Sequence, residues 1–168
     1  MVATTDEPFI DVHPALIQHL DGCMHAWTQL VNDQSSHDPR LNIKSMNDDD
    51  VRNFLRRLIL DRRLIIAVES ESIVGIATIA PDLNMLDHSG TVWNIADVWV
   101  EPSYRRRGIA RSLVRVSEER ALLDGATEIR LQVYASNDAA SMMYGQLGYR
   151  TIIRTMRKRL GRDYHSTG

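Results

Sequence analysis

Residues 96–113, ADVWVEPSYRRRGIARSL, hold the densest group of side chains that could do chemistry. An apolar run enters a loop with Arg105, Arg106 and Arg107, then Gly108, then a helical pattern. The start of a helix leaves about four backbone N–H groups without intrahelical partners and carries the positive end of the helix dipole. Gly108 lets the backbone come close to a ligand, and Ala110 keeps the first turn uncrowded. With three guanidinium groups beside it, such a turn suits a phosphate or a pyrophosphate. Two common phosphate signatures are absent: there is no G-x-x-x-x-G-K-[ST] and no G-x-G-x-x-G.

Other reactive side chains give weaker signals. Cys23 is the only cysteine, with His19 four residues earlier on the same helical face. It reads as a helix-core thiol rather than a nucleophile. The six histidines show no zinc-ligand spacing, so no metal is expected. Asp48, Asp49 and Asp50 read as a helix cap and first turn rather than a metal cluster. The arginine triplet lacks interleaved aromatics, and the overall pI of about 6.3 argues against a general nucleic-acid binder.

The elements that must position this loop follow from periodicity. A short strand is predicted at 9–12. Leu16, Ile17, Leu20, Met24, Trp27, Leu30 and Val31 recur at spacings of three and four, predicting an amphipathic helix over 13–31. A polar loop covers 32–46. Asn47 or Asp48 caps a second helix near 48–61, with Val51, Phe54, Leu55, Leu58 and Ile59 on its apolar face. Two β-branched runs, at 64–70 and 72–80, predict an antiparallel hairpin. A turn-rich connector leads to a central strand at 91–100. A helix runs from Gly108 to about Asp124, a strand over 128–135, and a short helix from Asn137 or Asp138 to about Leu147, ended by Gly148. YRTIIRTMRKR reads as a last strand, and 161–168 as a frayed tail. The order β-α-α-β-β-β-α-β-α-β predicts an α/β fold. Its core is a single mixed sheet, an antiparallel meander with at least one parallel pairing, with helices on both faces.

The 168 residues suit one domain, 1–168, without a linker or repeat. No apolar run reaches the 18 residues a membrane helix needs, and the N-terminus lacks a signal-peptide pattern. One cysteine fits a cytoplasmic setting. The net charge of -2 hides a split. Residues 1–100 carry 7 Lys/Arg against 15 Asp/Glu, and residues 101–168 carry 13 against 7. Such a split is expected of either two partners of opposite charge or two solvated surfaces.

Three blocks in order resemble the GNAT family of N-acetyltransferases. They are the hairpin VESESIVGIATIA, the segment DVWVEPSYR with Arg105-x-x-Gly108-x-Ala110, and Asn137-x-x-Ala140-x-x-x-Tyr144 followed by Gln146-Leu147-Gly148-Tyr149. The resemblance covers about residues 50–155. It implies a mostly antiparallel sheet splayed between strands 4 and 5, and acetyl-CoA as the acetyl donor. Backbone groups of Val98, Trp99 and Val100 would pair with the pantetheine amides. Backbone N–H groups from Arg105 or Arg106 through Arg107, Gly108, Ile109, Ala110 and Arg111 would hold the pyrophosphate. Asn137 and Tyr144 would contact the cofactor from the other side.

Acetyl transfer to an amine needs positioning of a neutral amine, a donor to the carbonyl oxygen, and a proton for the leaving thiolate. The resemblance gives Tyr144 the last role; from the helix alone it is an aromatic core residue. Relatives often carry a Glu-Asp pair on the fourth strand, where this chain has Ala96-Asp97. Asp97 is either the base, acting through water, or a strand-face residue satisfied by backbone donors. Direct transfer in a ternary complex follows, without a covalent acyl-enzyme. The acidic first 50 residues favour a cationic acceptor amine, on a small molecule or a lysine. Dimers are common in the family, so a homodimer is open. The alternative is a non-catalytic acyl-CoA-binding sensor or assembly module, which the missing strand Glu would suit.

Overall fold

The computed structural model describes residues 9–37, 47–82 and 92–158. The described chain forms two compact units, one ending at Tyr134 and one starting at Ala135. The expected tail at 161–168 and much of the connectors at 32–46 and 81–90 lie outside the described residues.

The first unit is built on a five-stranded sheet in the order β1-β2-β3-β4-β5. Its strands are β1 (Asp11–Pro14), β2 (Leu64–Glu69), β3 (Ser72–Pro81), β4 (Val92–Val100) and β5 (Glu128–Leu131). The first three pairings are antiparallel and β4–β5 is parallel. The hairpin turns on Ser70 and Glu71, both with positive φ (48° and 70°). Helices are α1 (Leu20–His37), α2 (Asp48–Leu60) and α3 (Ile109–Leu123). Asn47 caps α2, its side chain accepting the Asp50 N–H at 2.8 Å.

Strand alternation sorts the apolar residues into two layers. Leu64, Ile66, Ile76 and Trp99 pack under α1 and α2, against Cys23, Leu30, Leu55 and Ile59. Ile65, Ala67, Val74, Ala77 and Val100 pack under α3, against Ile109 and Leu113. The helices thus cover both faces, as expected. Gly75 sets how closely α3 approaches: a Cβ there would stand 3.0 Å from the Trp99 carbonyl oxygen and 3.1 Å from Leu113 Cδ1. Cys23 is fully buried, and burial pushes its thiol pKa up to about 12.

The second unit is described by itself. Asn137 caps α4 (Asp138–Gln146), its Oδ1 accepting the Ala140 N–H at 3.1 Å. The far end closes with two backbone bonds, Tyr149 N–H to Tyr144 O at 3.0 Å and Gly148 N–H to Gly145 O at 3.1 Å. With Gly148 at φ 95°, this is a Schellman ending. It brings the Tyr149 ring edge-on against Tyr144, with centroids 5.7 Å apart.

Three expectations are corrected. The last strand does not form: residues 149–158 have no strand conformation, and Ile152, Ile153 and Met156 are exposed. An alternating pattern makes a strand only where a neighbouring strand supplies partners. The strand expected over 128–135 stops at Leu131, where its pairing with β4 ends. The first helix begins at Leu20, after a 3-10 turn at Ile17–His19, and continues to His37, through residues expected in a loop. Their composition is loop-like, but tertiary partners of Asp33 and Gln34, described below, override it.

Candidate active site

β4 is the axis of the site. Its pairing with β5 runs from Val92–Glu128 to Ile95–Leu131 and stops. Its pairing with β3 continues to Val100 opposite Gly75. The β3–β4 register shifts beside Thr78, so Ala96 bulges out between Ile95 and Asp97. From Ala96 to Val100, therefore, no described strand pairs with the β5 side of β4. Strand backbone is rarely left without partners, so this open stretch suits a ligand that carries amides.

The strand leads into the arginine loop and α3. Gly108 is the N-cap residue at φ 82°, and no side chain caps the helix. The first helical bond runs from Ser112 N–H to Gly108 O. A Cβ at Gly108 would meet nothing within 4 Å, so there is open space beside this turn. Arg106 is also left-handed, at φ 68°, a conformation that costs a non-glycine residue roughly 1 kcal/mol. Ile109 is buried on the core and Ala110 packs at its edge, which fixes the direction of the first turn.

The three guanidinium groups do not act alike. Arg105 turns back, with Nε donating to Val100 O at 3.0 Å and Nη2 to Asp33 of α1 at 3.2 Å. Arg107 Nη2 donates to Glu69 Oε1 at 2.9 Å, and its guanidinium lies 5.1 Å from the Tyr104 ring centroid. A hydrogen bond to Glu69 is the main cause raising the Tyr104 pKa. Arg106 forms no side-chain hydrogen bond or ion pair with the described residues.

Asp97 is engaged at both oxygens. Gln34 Nε2 donates to Oδ1 at 2.9 Å, and Thr78 Oγ1 donates to Oδ2 at 2.7 Å. The carboxylate is held by side chains, not by the backbone donors expected for a strand-face residue. Beside it, Gln29, Asn32, Asp33, Trp99 and Pro102 line an open cleft of about 260 Å³. Asp33 is the acidic residue of that lining. In the second unit, burial raises the Tyr144 pKa, so its phenol keeps its proton beyond the ordinary range.

The structure thus brings together Asp97, Val98, Trp99, Val100, and residues 105–111 in the first unit. Asn137 and Tyr144 share α4 in the second. Sequence reasoning missed Asp33, Gln34, Thr78, Glu69 and Tyr104. The spacing of Gln29, Asn32 and Asp33 on one helical face was the available signal, had the helix been extended past Val31.

The description that matches this chain among family models is Acetyltransferase (GNAT) family, over residues 24–149. The chain belongs to this family. An acetyltransferase of Pectobacterium atrosepticum is 36% identical over 77 residues, 45% of this chain and 52% of the relative. The chain therefore spans about half the length of the curated relative it matches. The solved aminoglycoside N-acetyltransferase AAC(6′)-Iy in complex with CoA has a TM-score of 0.73, at 19% identity over 95% of this chain and 99% of that one. A transcriptional regulator from Bacillus halodurans gives 0.66, at 25% identity over 90% and 100%. These likenesses show the GNAT fold.

Proposed function

We propose that this GNAT chain is an acetyl-CoA-dependent N-acetyltransferase acting on a primary amine of a cationic small molecule or a lysine. The observation that carries this reading is the open β4 edge running into the uncapped turn at Gly108. An amide-bearing arm fits the first and a pyrophosphate fits the second. The CoA-bound aminoglycoside acetyltransferase of the same fold supports both the donor and a small cationic acceptor.

Acetyl-CoA supplies the acetyl group already activated as a thioester. Val98, Trp99 and Val100 orient it, and a backbone N–H among them donates to the carbonyl oxygen where negative charge develops. Residues 105–111 hold the phosphates through the first-turn amides. Asn137, already the α4 cap, is assigned a cofactor contact. Asp97 receives the proton that the amine loses, through a water, while Gln34 and Thr78 fix its carboxylate. Tyr144 gives its proton to the departing sulfur, which balances the proton taken from the amine. The transfer is direct, in a ternary complex. A cytoplasmic location fits the single thiol, and a homodimer fits the family.

The engagement of both Asp97 oxygens favours a second reading, a non-catalytic acyl-CoA-binding module. One experiment separates the two: acetyl-CoA with a panel of neutral, acidic and cationic amines, read by released thiol, beside a thermal shift with CoA. Turnover with cationic amines is expected. Saturation at 100 times Kd would stabilise the fold by about 2.7 kcal/mol. Binding without turnover across the panel would establish the module, and turnover confined to neutral or acidic amines would overturn the cationic acceptor.

A further inference from the structure

We propose that Glu69 is a positioning residue for the cofactor loop. Through Arg107 and Tyr104 it clamps the turn at Arg106–Gly108 in the conformation that presents the first-turn amides of α3. This rests on the loop being the phosphate site proposed above.

Four observations converge on it. The turn contains two left-handed residues in three, Arg106 at φ 68° and Gly108 at φ 82°, and Arg106 has a Cβ that disfavours this conformation. Something other than local preference must hold it. Glu69 is nearly sealed, with 10% of its side chain exposed, whereas Arg107 is 41% exposed. The buried carboxylate is therefore the fixed member of the pair, and the loop arginine is the one being held. Glu69 follows Ile65 and Ala67 on the α3 face of β2, at the end of the strand beside the hairpin turn. Finally, Tyr104 brackets the loop from its start: its ring centroid lies 5.1 Å from the Arg107 guanidinium, and the interaction with Glu69 raises its pKa. A planar guanidinium can bond Glu69 and stack on Tyr104 at once, which an ammonium cannot reproduce. Arg105 ties the other side of the turn to Val100 O and Asp33.

The clamp makes a prediction opposite in sign to simple charge attraction. If Arg107 served CoA as a free positive charge, Glu69→Gln would unmask that charge and tighten CoA binding. If Glu69 positions the loop, the same change weakens binding. A competent loop population cut to about a tenth raises the apparent Kd about tenfold. Arg107→Lys separates the two again. It keeps the charge, so attraction predicts no change, while the clamp predicts a similar weakening.

Calorimetric titration of CoA into the wild-type chain, Glu69→Gln and Arg107→Lys decides between them. Amide exchange over residues 102–110 is measured in the same free proteins. Weaker CoA binding in both variants, with faster exchange in that segment and unchanged exchange in β2 and β3, is the expected result. Tighter or unchanged binding in Glu69→Gln would overturn the clamp. If Glu69→Gln does not fold, the surface variant Arg107→Lys carries the test alone, and unchanged binding there overturns it. Wild-type protein that binds no CoA would sink the functional reading instead; the exchange data then still judge the clamp, which fails if the segment is equally protected in the variants.

Discussion

Tyr144 and Asp33 are the residues whose chemistry is most exposed to test. Tyr144 stands at the Schellman end of α4, held by the Tyr149 ring, and burial raises its pKa. A phenol with a raised pKa stays protonated to a higher pH than the ordinary value of 10, so any rate loss from its ionisation belongs on the alkaline side, above pH 10. Replacing it, Tyr144→Phe, is expected to lower kcat by about 100-fold and remove that alkaline limb, with the KM for acetyl-CoA little changed. Unchanged turnover would remove Tyr144 from the mechanism. Asp33 lines the cleft and also pairs with Arg105 at 3.2 Å. A cationic amine entering there competes with Arg105 for one carboxylate. Asp33→Asn should raise the KM for cationic amines roughly tenfold and leave neutral amines nearly unaffected, as charged hydrogen bonds are worth about 1.5–3 kcal/mol. Steady-state kinetics with a matched pair of amines reads this directly.

Packing of α3 on the sheet decides where the first-turn amides proposed to hold the phosphates point. Gly75 permits that packing, because a Cβ would meet the Trp99 carbonyl oxygen and Leu113. Gly75→Ala is expected to cost about 1–3 kcal/mol through overpacking and to weaken CoA binding as α3 is pushed outward. Thermal unfolding and a CoA titration of the variant measure the two effects; an unchanged melting temperature would refute the packing argument. Most of these elements were legible in the sequence. The Arg105-x-x-Gly108 segment read correctly as a strand, loop and helix start, since period and glycine placement agree there. The Asn137 cap and the Gly148 ending were legible for the same reason. Local pattern could not reveal that α1 runs on to His37, because Asp33 and Gln34 gain their partners, Arg105 and Asp97, only across the fold. Nor could it show that Arg105 and Arg107 pair with carboxylates from α1 and β2. Charge in a sequence does not say which carboxylate will reach it, and Glu69 lies 38 positions away from Arg107. The strand expected at the end failed because alternation carries no information about a partner.

Over the whole molecule, the charge split takes a more particular form. Among the described acidic residues of the first 50, Asp21 pairs with Arg52 and Asp48, Asp49 and Asp50 occupy the first turn of α2. Asp33 alone of these lines the cleft. The proposed acceptor preference therefore rests on one carboxylate more than on net charge. The core layer under α1 and α2 contains the molecule's one sulfhydryl, Cys23, fully buried and pushed up to about pKa 12. Its folded value lies above its unfolded one, near 9, so folding favours the protonated thiol. That contribution is intact below about pH 9 and is lost as the pH rises towards about 12. Denaturation midpoints of the wild type and Cys23→Ala should therefore converge as the pH climbs through that window. The same sulfur also serves as a clock. A thiol-reactive dye can reach it only when α1 lifts from the sheet, so the labelling rate at neutral pH reports how often that layer opens, with a single site and no engineered probe.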